Sequence, residues 1–135
     1  MNERKLSFNT PDDVEAVYYE SFMHCDIDVM NAIWANGDVI CVHPGSDVIV
    51  GHKAVLRSWA HIFYQSQPPQ FSYEVIKREI SDDLAVHLVS ENIGLQSDYA
   101  VVLATNVYKL HDHGWLMIEH HASLVNQQHQ AQSLQ

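Results

Sequence analysis

Phe71-SYEVIKRE-Ile80, Leu84-AVHLVSENIG-Leu95, Tyr99-AVVLATNVYK-Leu110 and Trp115-LMIEHHASL-Val125 are four long runs rich in β-branched and aromatic residues, separated by short polar turns. Runs of this kind with brief connections read as consecutive antiparallel strands. Two-residue connections at Gln96-Ser97 and Asp112-His113 would fix the register of the last three. Alternation then sorts the side chains into two faces. One carries Leu84, Val86, Leu88, Val101, Leu103, Thr105, Val107, Leu116, Ile118, His120 and Ala122, and is the more apolar, so it is expected to receive the helices. The other carries His87, Val89, Glu91, Val102, Ala104, Asn106, Tyr108, Trp115, Met117, Glu119 and His121. Its mixture of large apolar and polar groups points to a subunit interface, in which His87, Asn106 and Glu119 would form a hydrogen-bonded seam.

Upstream of the meander the period changes to that of helices. Thr10-Pro11-Asp12-Asp13 supplies a hydroxyl cap, a proline where its missing N–H is harmless, and acids at the positive end of the helix dipole. Val14, Val17, Tyr18, Phe22 and Cys25 follow at helical spacing. Asp26 is a second cap, and Ile27, Met30, Ile33 and Trp34 carry a second helix to the Asn36-Gly37 stop. Asp38 to His43 reads as a strand, Pro44-Gly45-Ser46-Asp47 as a turn, and Val48 to Val50 as a short strand. A third helix, opened by Gly51 and closed by Pro68-Pro69, buries Val55, Leu56, Trp59, Ile62 and Phe63.

The chain of 135 residues fits one α+β domain over 10–125, after an N-terminal extension at 1–9 and before a Gln-rich tail at 126–135. Seven Lys and Arg against seventeen Asp and Glu give a net charge of −10, which excludes a nucleic-acid backbone or an anionic membrane as the expected partner. No stretch is apolar for long enough to span a bilayer, and the N-terminus is polar. Cys25 and Cys41 sit singly in apolar segments, so buried thiols in a reducing cytoplasm are expected.

The order helix, helix, strand, strand, helix, four-strand meander resembles the nuclear transport factor 2-like (cystatin-like) cone. Tyr19-x-x-Phe22, Asp26-x-Asp28-x-Met30-x-x-x-Trp34, Val42-His43-Pro44-Gly45, Gly51-x-x-Ala54-Val55-x-x-Ser58-Trp59, Ala104-Thr105-Asn106-Val107 and the closing Trp115 to Ser123 resemble its SnoaL-like, ketosteroid-isomerase-like branch. The resemblance implies a cavity between the concave sheet face and the helices, and a homodimer through the outer sheet face. It does not choose among isomerases, cyclases, dehydratases and modules without a reaction.

A steroid-type isomerase site needs a pocket carboxylate beside a phenol. No Asp or Glu falls on the face assigned to the helices, and Asp26 and Asp28 serve helix starts, so that constellation is expected to be absent. Histidine is then the available acid or base. His43 and His120, with Tyr19, are the candidate catalytic residues, and Tyr18, Trp34, Trp59, Phe63 and Thr105 the candidate walls for a small apolar or aromatic ligand. No cofactor is called for. His111-Asp112-His113 lies in a turn, and His120-His121 point to opposite faces, so no metal site is expected. Two functions follow: a SnoaL-like small-molecule-binding protein acting as a cofactor-independent isomerase, cyclase or dehydratase through a pocket histidine, or a non-catalytic dimeric ligand-binding or protein-interaction module.

Overall fold

A computed structural model describes residues 7–65, 67–95 and 98–125. Helices α1 (Pro11–His24) and α2 (Ile27–Ile33) lead into strands β1 (Ile40–Val42) and β2 (Ile49–Val50), then α3 (His52–Gln65) and the meander β3 (Gln70–Ile80), β4 (Leu84–Leu95), β5 (Asp98–His111) and β6 (Gly114–Leu124). The sheet runs β2-β1-β6-β5-β4-β3, and β1 lies parallel to β6 while the other neighbours are antiparallel. This is the α+β arrangement with N-terminal helices on a mostly antiparallel sheet that the sequence announces. No helix among the described residues is long and apolar enough to cross a membrane.

The caps act as their residue types require. Thr10 Oγ1 accepts from Asp13 N at 3.1 Å and Asp26 Oδ1 from Val29 N at 3.2 Å. Helix α2 stops earlier than its periodicity suggests, because Trp34 turns extended and Ala35 N donates to Met117 O at 2.9 Å, tying the chain to β6. The turn at Asp112-His113 joins β5 to β6 as expected. Gln96-Ser97, residues 1–6 and the tail at 126–135 lie outside the described residues.

The two faces are exchanged relative to expectation on β4 and β5. Ala85, His87, Val89 and Glu91 of β4 and Val102, Ala104, Asn106 and Tyr108 of β5 are buried, whereas Leu84, Leu88 and Leu103 are exposed on the other side. Counting apolar residues misled because the inward polar groups find partners on α1, which removes most of the penalty for burying them. Strand β6 is divided. Val107 pairs with Glu119 and Tyr108 with Met117, leaving Ile118 as one extra residue. That bulge changes the parity of the strand, so Trp115 and Met117 face inward and, beyond it, so do His120 and Ala122. His120 therefore faces inward as expected, but Thr105, opposite Leu88 and His121, faces outward.

Candidate functional site

The chemistry-bearing side chains meet in one layer between α1 and the sheet. Capping at Thr10 and the proline at the first helical position set the phase of α1, so that Glu15, Tyr18, Tyr19 and Phe22 descend its inner face at helical spacing. Two buried carboxylates anchor the layer. Glu15 Oε2 accepts from Tyr108 Oη and from His87 Nδ1, each at 2.9 Å. Glu91 Oε2 accepts from Tyr19 Oη at 2.6 Å. Tyr19 Oη in turn accepts from Asn106 Nδ2 at 2.9 Å, and Asn106 Oδ1 accepts from His120 Nδ1 at 2.6 Å. The last bond fixes the His120 tautomer, because an amide oxygen can only accept. Aromatic rings enclose the chain: Tyr19 stacks on Tyr73 at 4.2 Å and on Phe71 at 5.4 Å, and Tyr18 lies 5.2 Å from the His120 ring.

Burial sets the protonation of these groups. Desolvation pushes the Glu91 carboxyl up to about 7, the Tyr19 hydrogen bond pulls it partly back, and the Glu15 charge adds to the rise. Burial first, then His43 and His121, pull His120 down to about 3, so the imidazole is neutral at pH 7. Tyr19, Tyr18 and Tyr108 are all held above the usual phenol range, chiefly by burial. The layer is a set of neutral donors and acceptors around two carboxyl groups, each bonded through its Oε2.

His43 belongs to a neighbouring cluster. Its Nε2 lies 2.9 Å from Ser58 Oγ, its ring sits edge-on to Trp59 at 4.7 Å, and the Cys41 thiol is 3.7 Å from Nε2. Burial lowers His43 and raises Cys41 to about 12, which makes that thiol a poor nucleophile. Trp59 also reaches His120, at 6.1 Å between rings, so one indole joins the two histidines. Phe63 packs on Trp59 and on Phe22. Trp34 stands apart as a core residue of the α2–β6 junction, and Thr105 is outside the layer altogether.

Of the residues expected in the site, His43, His120, Tyr18, Tyr19, Trp59 and Phe63 lie close together, whereas His87, Glu91, Asn106 and Tyr108, expected on the outer face with a His87–Asn106–Glu119 seam, are buried inward without Glu119, and Glu15 carried no expectation. The expected exclusion of interior carboxylates is corrected: Glu15 and Glu91 are both buried. Glu15 could have been found from its place one turn before Tyr19 on the face that carries Val14 and Tyr18. Asp12, Glu15 and His87 bring potential metal-ligand atoms within 4.8 Å of one another. Each already has a partner, since Arg78 Nε donates to Asp12 Oδ1 at 2.9 Å and His87 donates to Glu15. A small cavity of about 110 Å³ lies between Phe22 of α1, Ile62 and Phe63 of α3 and Ile93 of β4.

The SnoaL-like domain family matches residues 13–127, and the chain belongs to that family. Among solved structures, a candidate calcium/calmodulin-dependent protein kinase type II association domain from Thiobacillus denitrificans superposes with a TM-score of 0.86 at 29% identity, over 90% of this chain and 100% of that one. A candidate dehydratase of the nuclear transport factor 2-like family from Streptomyces avermitilis gives a TM-score of 0.75 at 30% identity, over 84% and 92%. Among curated proteins, the F-box protein SKIP8 of Arabidopsis thaliana is 29% identical over 100 residues, 73% of this chain, and the match spans only 42% of that protein's length.

Proposed function

We propose that this chain is a self-associating SnoaL-like module that pairs with a second copy through the outer face of its sheet. The observation that carries this reading is the composition of that face. Leu84, Leu88 and Leu103 are 38%, 36% and 37% exposed on the two adjoining strands β4 and β5, with Val86, Thr105 and Val107 between them. Glu74, Lys77, Glu79, Glu119 and His121 frame them on the flanking strands β3 and β6. An apolar centre inside a polar rim is the anatomy of a protein interface, and single domains seldom leave such a patch open. The interior supports the same reading, since each of its acids and histidines already has a side-chain partner: Glu15 with His87 and Tyr108, Glu91 with Tyr19, His120 with Asn106, and His43 with Ser58. The resemblance to a candidate association domain points the same way.

The interface expected through Ala104 and Val102 is given up in favour of the opposite side, because those two residues are buried in a cluster with Ala122 and Ile93. Sedimentation equilibrium tests the proposal. The unaltered chain is expected at twice its 15.4 kDa mass, and Leu88→Arg with Leu103→Arg at the monomer mass with helix content retained. A monomeric parent, or a dimer untouched by the two arginines, sinks the reading.

A second reading has its own observation: Glu91, near neutrality beside the Tyr19 phenol, lies two residues from Ile93 of the small cavity. A small apolar ligand that widened this cavity towards Glu91 would bring an acid and a phenol suited to a cofactor-independent isomerase, cyclase or dehydratase step within reach. Native mass spectrometry of protein from its own host tests this. A retained small molecule that Phe63→Trp expels favours it, and a ligand-free spectrum speaks against it.

A further inference from the structure

Helix α3 is chemically unlike the rest of the molecule. It contains His52, Lys53, Arg57 and His61 and no acid, in a chain of net charge −10. Lys53, Arg57 and His61 follow one another at intervals of four and are all exposed, so they form one row along the helix. On β3, by contrast, Lys77 pairs with Glu79 at 2.9 Å and Arg78 with Asp12 at 2.9 Å. Among the described residues neither Lys53 nor Arg57 enters an ion pair.

Beside that row runs a groove of about 930 Å³ between α3, the start of α2 and β2. Ile27, Ile49, Ala54 and Phe63 form its apolar lining, Arg57 and His61 its edge, and Tyr64, 90% exposed, stands at its end. Across the groove Asp26 directs its carboxylate to its own helix N-terminus. A hollow this open to solvent would leave much of a small molecule in water, whereas ligand pockets enclose most of theirs. It suits an elongated occupant, and an apolar trough edged by charge is how amphipathic helices are received. An exposed tyrosine next to an arginine is the composition found at the energetic centre of protein interfaces.

We propose that the α3 groove docks an amphipathic helix of a protein partner, its apolar face on Ile27, Ile49 and Phe63 and its acidic flank against Arg57 and His61. The charge contrast supplies selectivity. An acidic helix is repelled by the net charge of the chain and attracted by the acid-free row on α3.

Cys25, half-buried in the groove wall, provides the measurement. Iodoacetamide alkylation of the full chain is followed by mass spectrometry, with buried Cys41 as the unreactive reference. The probes are two synthetic helical peptides with leucine on one face and either glutamate or lysine on the flank, and decanoate as a small amphiphile. The glutamate peptide is expected to slow Cys25 alkylation at least about fivefold and the lysine peptide to leave it unchanged, with Arg57→Glu reversing that preference. Equal effects of the two peptides, no effect of either, indifference to Arg57→Glu, or protection by decanoate alone each overturns the proposal. Because Arg57 is exposed, that variant is expected to keep the parent circular dichroism spectrum.

Discussion

Glu91 and His120 respond to acid in opposite directions, and Asn106 and Tyr19 link them. Glu91 is raised from the usual carboxyl value of 4.5 to about 7, so the folded state holds its proton more tightly than the unfolded chain. Its contribution is fully present below about pH 4.5 and is lost as pH rises through about 7. His120 is lowered from 6.5 to about 3, so its neutral form is favoured in the fold, and its contribution is present above about 6.5 and lost as pH falls towards 3. Between about 4.5 and 6.5 the two slopes oppose each other. Glu91→Gln keeps an acceptor for the Tyr19 hydroxyl and removes one slope. Relative to the parent, its unfolding free energy should rise with pH, by about 3 kcal/mol between pH 4.5 and 8. Urea titrations at those two values measure it, and a difference independent of pH means that Glu91 is not held protonated.

At the scale of elements, the close approach of the N-terminal segment to the β5–β6 turn makes its own prediction. Gly114 has φ +123°, and a Cβ there would stand 2.6 Å from the Phe8 carbonyl oxygen. That carbonyl accepts from Trp115 N at 2.9 Å, so it is not free to move aside. Gly114→Ala should lower unfolding free energy by at least about 2 kcal/mol, from a positive φ and a backbone collision together. A urea midpoint within error of the parent would show that Phe8 is not held at this turn.

Element order, the helix N-caps and the four long strands are legible in the sequence, because capping and periodicity are local properties, whereas α2 ends at Ile33 and β1 covers only Ile40–Val42 of the run read as strand. Which face of β4 and β5 turns inward is not legible there. That depends on Glu15 and Tyr19 reaching His87, Asn106, Tyr108 and Glu91 from another element, and a strand read alone carries no sign of it. His120 was placed inward although its neighbours on β5 were not, because one unforeseen residue, Ile118, restores the phase. The candidate site was thus half visible: its aromatic and histidine members stand out by type, while its carboxylates pass for surface residues.

For the whole molecule, the net charge of −10 bears directly on pairing. In the proposed pairing, two such chains would repel across their surroundings while the exposed Leu84, Leu88 and Leu103 would attract at the centre. Salt screens the first effect and leaves the second. Self-association should therefore tighten by roughly threefold to tenfold between about 20 and 300 mM sodium chloride, as read by sedimentation. Weakening with salt would show that the rim charges, not the leucines, hold the copies together.

The two single-residue offsets in the sheet, Ile76 in β3 and Ile118 in β6, flank a β4–β5 pair whose register runs unbroken from Leu84 opposite Lys109 to Leu95 opposite Asp98. An inserted residue bends and twists the strand that carries it. Curvature is thereby assigned to β3 and β6, the strands on either side, and the β4–β5 pair between them is spared it. The same division that closes the cone on one side leaves a platform on the other, so a change at either isoleucine offset would be felt twice, once in the packing beneath α1 and once in how squarely two copies can meet.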